Sequence, residues 1–193
     1  LPGLGFRRVL FRSSGLWCYS DASVLVANSV FAKNAASLNG GAVGTADTAS
    51  VSLHNCILWG NTAPSWPAIY VEGASSCTAS RCDIQTVFTG DNISVLPLFA
   101  DMTDLDGPDD VWMTADDGVR LNAGSPCIDA GDGSAPGLSA TDLGGDPRFH
   151  DDPGIPDTGT GSPAYVDMGA YEFQGTTPVP MVWHVNDDAA GRN

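Results

Sequence analysis

The chain has 193 residues, with 23 acidic and 8 basic side chains and a formal net charge of −15, and this length suits one sizeable domain or two small ones. The charge argues against a nucleic-acid partner, because phosphate binding requires clustered Lys and Arg. No stretch approaches the roughly 20 consecutive apolar residues of a transmembrane helix.

The acidic residues are distributed unevenly along the chain. Residues 16–100 contain five of them, which leaves 18 of the 23 in residues 101–193. We therefore expect two regions of different character that meet near residue 100. The carboxylate density of the second region makes Ca²⁺ the best-suited cofactor. The acidic, lysine-poor composition is typical of an extracellular or cell-surface protein.

The first 13 residues differ from the rest of the chain in composition. Phe6–Ser13 holds three of the eight basic residues and resembles the translated read of a common sequencing-library adapter. The alternative is a genuine basic arm that binds a membrane or nucleic acid. We favour the artefact, exclude residues 1–13 from the fold prediction, and expect them to make few long-range contacts.

Residues 14–100 contain a repeat of 26 to 27 residues. Asn28–Ala35 returns as Asn55–Thr62, a shift of 27, and a fainter copy starts at Arg81, 26 residues later. No window shows convincing helical periodicity. Short β segments in units of this length predict a parallel β-helix, in which each unit buries its apolar face against its neighbours. Before each copy comes a pair of alternating small or apolar residues: Val24 and Val26, Val51 and Leu53, Cys77 and Ala79.

The repeat predicts that equivalent polar and cysteine residues stack. We expect Asn34 and Asn61 to stack at a bend, because Asn tolerates the left-handed conformation that bends need. Cys56 and Cys82 should lie inside the coil as small apolar side chains rather than in a disulfide. The five cysteines include no CxxC pair, which excludes a standard zinc framework.

The spacing also predicts two side-chain columns. Steps of 27 place Val30, Ile57 and Ile84 in one interior column. A step of 26 places Trp59 where Lys33 lies one unit earlier, which predicts an outward-facing column.

The repeat and the segment after it resemble a known family. The pattern of Asn28–Ala35, with Asn39–Val43 between copies, resembles the right-handed parallel β-helix repeats of pectate-lyase-like and polymorphic outer-membrane proteins. Four later motifs look like the C-terminal region of bacterial secreted proteins termed choice-of-anchor Q: Leu96–Asp101, Leu121–Asp132, Asp142–Arg148 and Val166–Glu172.

This resemblance covers residues 24–174 and implies an all-β fold, a right-handed parallel β-helix over residues 14–100 with an acidic, loop-rich C-terminal cap over residues 101–175. Cys127 stands where the family usually has a small residue such as Ala. The resemblance implies no catalytic residues.

The end of the chain predicts a second module. Residues 176–181 are Pro-rich and favour a stiff linker. Residues 182–193 resemble the opening strand of another β-helix, so we expect the natural protein to be a string of such domains.

An acidic turn after residue 100 is the candidate metal site. Asp104, Asp106 and Asp109 flank a glycine on a predicted tight turn, and Asp116 follows closely enough to join them. Carboxylate oxygens are the ligands that Ca²⁺ prefers. The spacing does not fit an EF-hand. A Ca²⁺ site and a solvated acidic loop both remain open.

A second set of charged residues invites an acid/base interpretation. We favour a structural one, because Arg148 is the only cation near these acids and a solenoid needs loops over its open end. The set comprises Asp129, Asp142, Arg148, Asp167 and Glu172.

Several aromatic residues raise the question of a sugar-binding face, since exposed rings stack on sugars. The alternative is that they shelter the turns between units, and the sequence leaves both open. The residues are Trp59, Trp66, Tyr70 and Trp112.

These observations favour a non-catalytic, secreted or cell-surface β-helix module with a structural or adhesive role, whose partners are extracellular polysaccharide or cell-surface components. The alternative is a fragment of a β-helix polysaccharide lyase or glycoside hydrolase whose catalytic units lie upstream. Residues 16–100 hold only Lys33 and Arg81 as basic side chains, and His54 is isolated, so no catalytic set stands out.

Overall fold

A computed structural model describes residues 14–175, and these form nine short strands and no helix. The predicted adapter segment (1–13), linker (176–181) and further module (182–193) lie outside the described residues. Within residues 14–175, no helix has the length and apolar character that crossing a bilayer requires. The strands are β1 (Leu16–Cys18), β2 (Ser23–Ala27), β3 (Val30–Ala32), β4 (Val43–Thr45), β5 (Ser50–His54), β6 (Ile57–Trp59), β7 (Ile69–Val71), β8 (Ser76–Ser80) and β9 (Asp83–Ile84).

The nine strands form three parallel sheets of three strands each. Their orders are β1-β4-β7, β2-β5-β8 and β3-β6-β9, so each repeat unit, called a rung below, adds one strand to every sheet. The predicted parallel pairing is confirmed, with Val51 opposite Cys77 and Leu53 opposite Ala79. This all-β stack is compatible with a β-helix-like solenoid.

The offset between rungs changes from 27 to 26 residues. β1 pairs with β4 at an offset of 27, and β4 pairs with β7 at 26. The change lies in one turn, because Ala35 bridges Thr62 at 27 whereas Asn39 bridges Ser65 at 26. The second rung is therefore one residue shorter between positions 62 and 65.

This shorter turn makes the predicted interior column wrong. Ile57 lies opposite Val30, but its partner in the third rung is Asp83, and Ile84 lies opposite Leu58. A one-residue shift in a strand moves a side chain to the opposite face of the sheet. Val30, Ile57 and Asp83 therefore line the outer face of this sheet.

The inner faces of the three sheets share one apolar core. Along β5, Val51 and Leu53 are buried and the alternating residues Ser50, Ser52 and His54 are half-buried, as expected for a strand with one covered face. Cys56 and Cys82 are fully buried free thiols, as predicted. The core consists of Cys18, Phe31, Ala42, Val43, Ala49, Val51, Leu53, Cys56, Leu58, Ala68, Ile69, Cys82 and Ile84.

Asparagines stabilise the bends between strands. Asn28, Asn55 and Arg81 occupy the same bend of successive rungs, with φ of 43°, 51° and 51°. At the next bend the predicted stack is confirmed, since Asn34 Nδ2 donates to Asn61 Oδ1 at 2.9 Å. The left-handed residues of this bend are Lys33 and Gly60, so the expected left-handed conformation of the two asparagines is wrong. The second bend thus satisfies its polar groups within the stack, whereas Asn28 and Asn55 of the first bend also donate to the carbonyls of Asp167 and Asp132.

Residues 97–175 contain no strand and pack on the outer face of the β3-β6-β9 sheet. The backbone N–H of Gly169 donates to the carbonyl of Asn55 at 2.8 Å. Ile57 and Leu58 are adjacent and both fully buried, so β6 has an apolar core on each face. The second core comprises Ile57, Phe99, Val119, Leu121, Cys127, Ile128, Ala130, Met168, Ala170 and Tyr171.

The position of this region differs from the expected one. Lys33 of the first rung donates to the carbonyl of Met102 at 2.6 Å, and Arg81 of the third donates to that of Thr158 at 2.8 Å. Residues 97–175 therefore lie along the side of the stack, whereas the sequence led us to expect them over its open end. The reason is the apolar outer face of β3 and β6, which offers a surface to bury.

Candidate functional site

The predicted Ca²⁺ ligands are only partly brought together. Asp104 lies near Asp106, and burial together with this neighbouring carboxylate raises its pKa. Asp109 accepts a hydrogen bond from the amide of Val111 at 2.8 Å, and Asp116 accepts one from the hydroxyl of a nearby threonine. No three of these four carboxylates converge within 4.8 Å in the described chain. Ca²⁺ binding by this loop stays a prediction.

The sequence analysis missed the role of Asp117, which lies next to this loop. Its carboxylate is fully buried and accepts hydrogen bonds from the amide of Met113 at 2.9 Å and from the hydroxyl of Tyr171. Burial and the Asp117 carboxylate raise the pKa of Tyr171. Arg120 lies 4.1 Å from the centroid of the Tyr171 ring. This set anchors the loop to the second core.

Arg148 pairs with an acid, as the sequence predicted. Its Nη1 lies 3.2 Å from Glu172 Oε2, and both side chains are almost entirely buried. Glu172 Oε1 accepts from the amide of Asp167, and Asp142 Oδ2 accepts from the amide of Glu172 at 2.9 Å. These carboxylates bind backbone amides rather than face a cleft, which favours a structural role.

The electrostatics of this network are unbalanced. Burial raises the pKa of Glu172, the carboxylate of Asp167 raises it further, and the Arg148 guanidinium opposes both effects. Burial is the largest of these effects, and the single guanidinium only partly offsets it and the second carboxylate. A proton on Glu172 removes one of these negative charges.

Asp129 differs from the other members of this set. Its side chain is fully buried, yet neither carboxylate oxygen accepts a hydrogen bond of ordinary geometry from the described residues. Burial raises the pKa of Asp129 to about 6; the backbone amide of Asp152 lowers it in part, and the carboxylates of Asp157 and Asp151 raise it.

An aromatic surface lies on the outer face of the β1-β4-β7 sheet. Trp17, Gly44 and Tyr70 occupy one column across the three rungs. The Trp17 and Tyr70 rings stack with centroids 6.2 Å apart and an interplanar angle of 23°. A Cβ on Gly44 would lie 2.1 Å from the Trp17 ring. The missing side chain of the middle rung therefore lets the outer two rings approach.

Trp66 extends this surface at an unfavourable backbone position. Its ring centroid lies 6.5 Å from that of Tyr70, and the residue is 62% exposed. Its φ of 57° lies in the left-handed region, where the equivalent bend one rung earlier has Gly40 with φ of 67°. A bulky residue there is a rare outlier, and such outliers cluster at functional sites. We call Trp17, Trp66 and Tyr70 the aromatic platform.

The other two predicted aromatic residues lie elsewhere. Trp59 and Trp112 pack against the second core, on the side covered by residues 97–175. Trp59 lies opposite Ala32 and not above Lys33, so its predicted outward column is wrong. The offset between the first two rungs is 27, not 26.

A groove of about 480 Å³ runs beside the aromatic platform. Its apolar lining includes Val87, which is 93% exposed. Burying such a surface against a ligand is favourable. The groove is lined by Trp66, Pro67, Ile69, Tyr70, Val71, Thr86, Val87 and Phe88.

The sequence analysis singled out two of the three platform residues, Trp66 and Tyr70, and missed Trp17. A signal was present, because a shift of 27 from Trp17 reaches Gly44 and a further 26 reaches Tyr70. Comparison of the chain with protein-family models, with curated proteins and with solved structures found no match in any of the three.

Proposed function

We propose that this chain is a non-catalytic module of a secreted or cell-surface protein with a structural or adhesive role, and that it binds neutral polysaccharide on the aromatic platform. The observation that supports this proposal is the exposed Trp66, which keeps a strained left-handed backbone next to the stacked pair Trp17 and Tyr70. The C–H faces of sugar rings pack on such rings, and the sugar hydroxyls stay in water.

The charges favour a neutral ligand over an acidic one. Each of the four basic Lys and Arg side chains in residues 14–175 has a partner within the chain. Lys33 donates to the carbonyl of Met102, Arg81 pairs with Asp91, Arg120 lies on the Tyr171 ring, and Arg148 pairs with a glutamate. None of them lines the groove. A chain of net charge −15 would also repel an acidic polysaccharide.

The proposal includes a finer view of the fold. The three parallel sheets with a shared core support a right-handed parallel β-helix, in keeping with the resemblance to pectate-lyase-like repeats and to choice-of-anchor Q proteins of bacteria. Rigid stacked rungs suit a surface module, because they hold platform residues of the first and third rungs side by side.

Binding is tested with the full 193-residue chain and insoluble neutral polysaccharides, with a soluble acidic polymer as comparison. We expect retention on a neutral polymer and its loss, by about tenfold or more, after Trp66→Gly or Tyr70→Ala. Trp66→Gly should not lower stability, because glycine relieves a left-handed conformation that costs about 1–2 kcal/mol. Loss of binding in this variant therefore does not come from unfolding.

The matched control is Phe149→Ala, which removes an exposed aromatic ring outside the groove and should leave binding unchanged. Binding that persists after substitution of all three platform residues, or no binding to any neutral polymer, would overturn the proposal. Release of new reducing ends or unsaturated products would favour the alternative, a lyase or hydrolase fragment.

A further inference from the structure

Within residues 14–175, one group of three carboxylates converges closely enough to share an ion. One oxygen from each of Asp129, Asp151 and Asp157 lies within 4.8 Å of the other two. Asp129 is fully buried and the other two are exposed, so protein closes one side of the group and solvent reaches the other. Exposed carboxylates often cluster without a ligand. The case for a metal site therefore depends on the buried member, Asp129.

Asp129 is a buried carboxylate without a hydrogen-bond donor of ordinary geometry in the described chain. A buried charged group without a partner is far more costly than one that is paired. A bound cation is the partner that removes this cost. The other buried carboxylates all accept hydrogen bonds: Asp83, Asp117, Asp142, Asp167 and Glu172.

The backbone holds Asp129 in this position from two sides. Its amide donates to Asp167 Oδ1 at 2.8 Å, and its carbonyl accepts from the amides of Thr158 and Gly159, both at 2.9 Å. Its φ is 49°, which is unfavourable for a residue other than glycine. Because the two donors directly follow Asp157, the same hydrogen bonds place the Asp157 carboxylate beside Asp129.

The geometry points to a Ca²⁺ site formed by Asp129, Asp151 and Asp157. All three ligands are hard carboxylate oxygens, which Ca²⁺ binds at about 2.3–2.6 Å, so oxygens on opposite sides of the ion lie up to about 5 Å apart. Separations within 4.8 Å fit this span. Mg²⁺ requires bonds of about 2.0–2.1 Å and a tighter octahedron. Zn²⁺ prefers nitrogen and sulfur ligands.

The exposed sides of Asp151 and Asp157 leave room for water to complete the six to eight oxygens that Ca²⁺ takes. The bound ion would fasten the segment 151–157 to Asp129, whose amide is already tied to the Arg148 network through Asp167. This site is separate from the aromatic platform and from the acidic loop 104–116.

The test is calorimetric titration of Ca²⁺ into the chelator-treated full chain, together with thermal unfolding. We expect a Ca²⁺-binding event at this site, counted separately from any ion bound by the acidic loop, and a rise in Tm of about 5–10 °C at a hundred times the Kd. Asp157→Asn should weaken binding at least about tenfold, because it removes one of three charged ligands. Asp129→Asn should abolish the response and raise the Tm measured in chelator, because the amide is neutral and tolerates the left-handed backbone.

The matched control is Asp109→Asn, which removes a carboxylate of the acidic loop and should leave binding at the Asp129 site unchanged. The absence of both heat and a Tm shift up to about 10 mM Ca²⁺ would overturn the site. Wild-type affinity in Asp157→Asn would also overturn it. Loss of binding in Asp109→Asn, with binding retained in Asp157→Asn, would place the ion in the acidic loop instead.

Discussion

At the scale of single residues, Asp83 places a titratable carboxylate at a repeat position where the two earlier rungs have apolar residues. It follows Val30 and Ile57 in the outer column of the β3-β6-β9 sheet, at a fully buried position. Its carboxylate accepts from the amide of Val95 at 3.1 Å and from the thiol of Cys127 at 3.3 Å. Burial raises the pKa of Asp83 to about 6, although both hydrogen bonds lower it.

This pKa predicts a pH dependence of stability. The folded pKa exceeds the unfolded value of 3.8, so the folded state binds more protons between the two values. The contribution of Asp83 is therefore complete below about pH 4 and lost as the pH rises through 6, by about 3 kcal/mol at most. Asp83→Asn should lack this loss.

The measurement is urea unfolding under reducing conditions from pH 4 to 8, for the wild-type chain and Asp83→Asn. The difference between the two free energies of unfolding isolates Asp83 from the other carboxylates. We expect the free energy of unfolding of Asp83→Asn to increase relative to that of the wild type as the pH rises. A difference that stays flat between pH 4 and 8 would show that Asp83 titrates normally.

At the scale of the strand, β4 is built around a missing side chain. Gly44 lies between Trp17 and Tyr70, and the Trp17 ring fills the space above it. Glycine is normally unfavourable inside a strand. Here it lets two aromatic rings from non-adjacent rungs stack. The low β-propensity of glycine in one strand is thus accompanied by a packed aromatic surface.

Gly44→Ala tests this arrangement. The added Cβ would displace the Trp17 ring, and we expect a loss of about 1–3 kcal/mol in the free energy of unfolding. In a Trp17→Ala background the same substitution should be neutral or stabilising, because alanine is the better strand residue once the ring is gone. Chemical denaturation of the four chains gives the double-mutant cycle. Equal effects in both backgrounds would contradict the proposed clash.

At the scale of the whole molecule, two cores share the β3-β6-β9 sheet. The stacked rungs bury one face of this sheet, and residues 97–175 bury the other. The second core lies next to the Arg148–Glu172 network, in which polar groups hold a region without strands in one conformation. Stability of the loop-rich half therefore depends on that network as well as on apolar burial.

Removing each partner of this ion pair should have very different effects. Arg148→Met removes the cation that favours the charged form of Asp167 and the donor to the buried carbonyls of Gly169 and Ala170, so we expect a loss of about 3–5 kcal/mol. Glu172→Gln should cost about 1 kcal/mol or less at neutral pH, because burial already raises the pKa of Glu172 and favours its uncharged form. Urea unfolding at pH 7 measures both. Equal losses would show that Glu172 is ionised in the folded state.

The sequence by itself determined the parts of the fold that follow from its local period. Alternation in segments such as Ser50–His54, and copies 26 to 27 residues apart, were sufficient to predict parallel stacked strands, buried cysteines at 56 and 82, and the Asn34–Asn61 stack. These features depend on neighbouring rungs with nearly constant spacing. The pairing of Arg148 was also predictable, because it is the only cation near several acids.

Only the tertiary structure decided which residues meet across longer distances. The step of 26 from Asn55 to Arg81 already aligned Leu58 with Ile84, so the predicted column was wrong because a step of 27 was applied there, and the structure shows that the missing residue lies in the turn at 62–65. The convergence of Asp151 and Asp157 on Asp129 depends on backbone hydrogen bonds between loops without periodicity. Local patterns specify strands, whereas loop contacts arise from the packing of the complete chain against the stack.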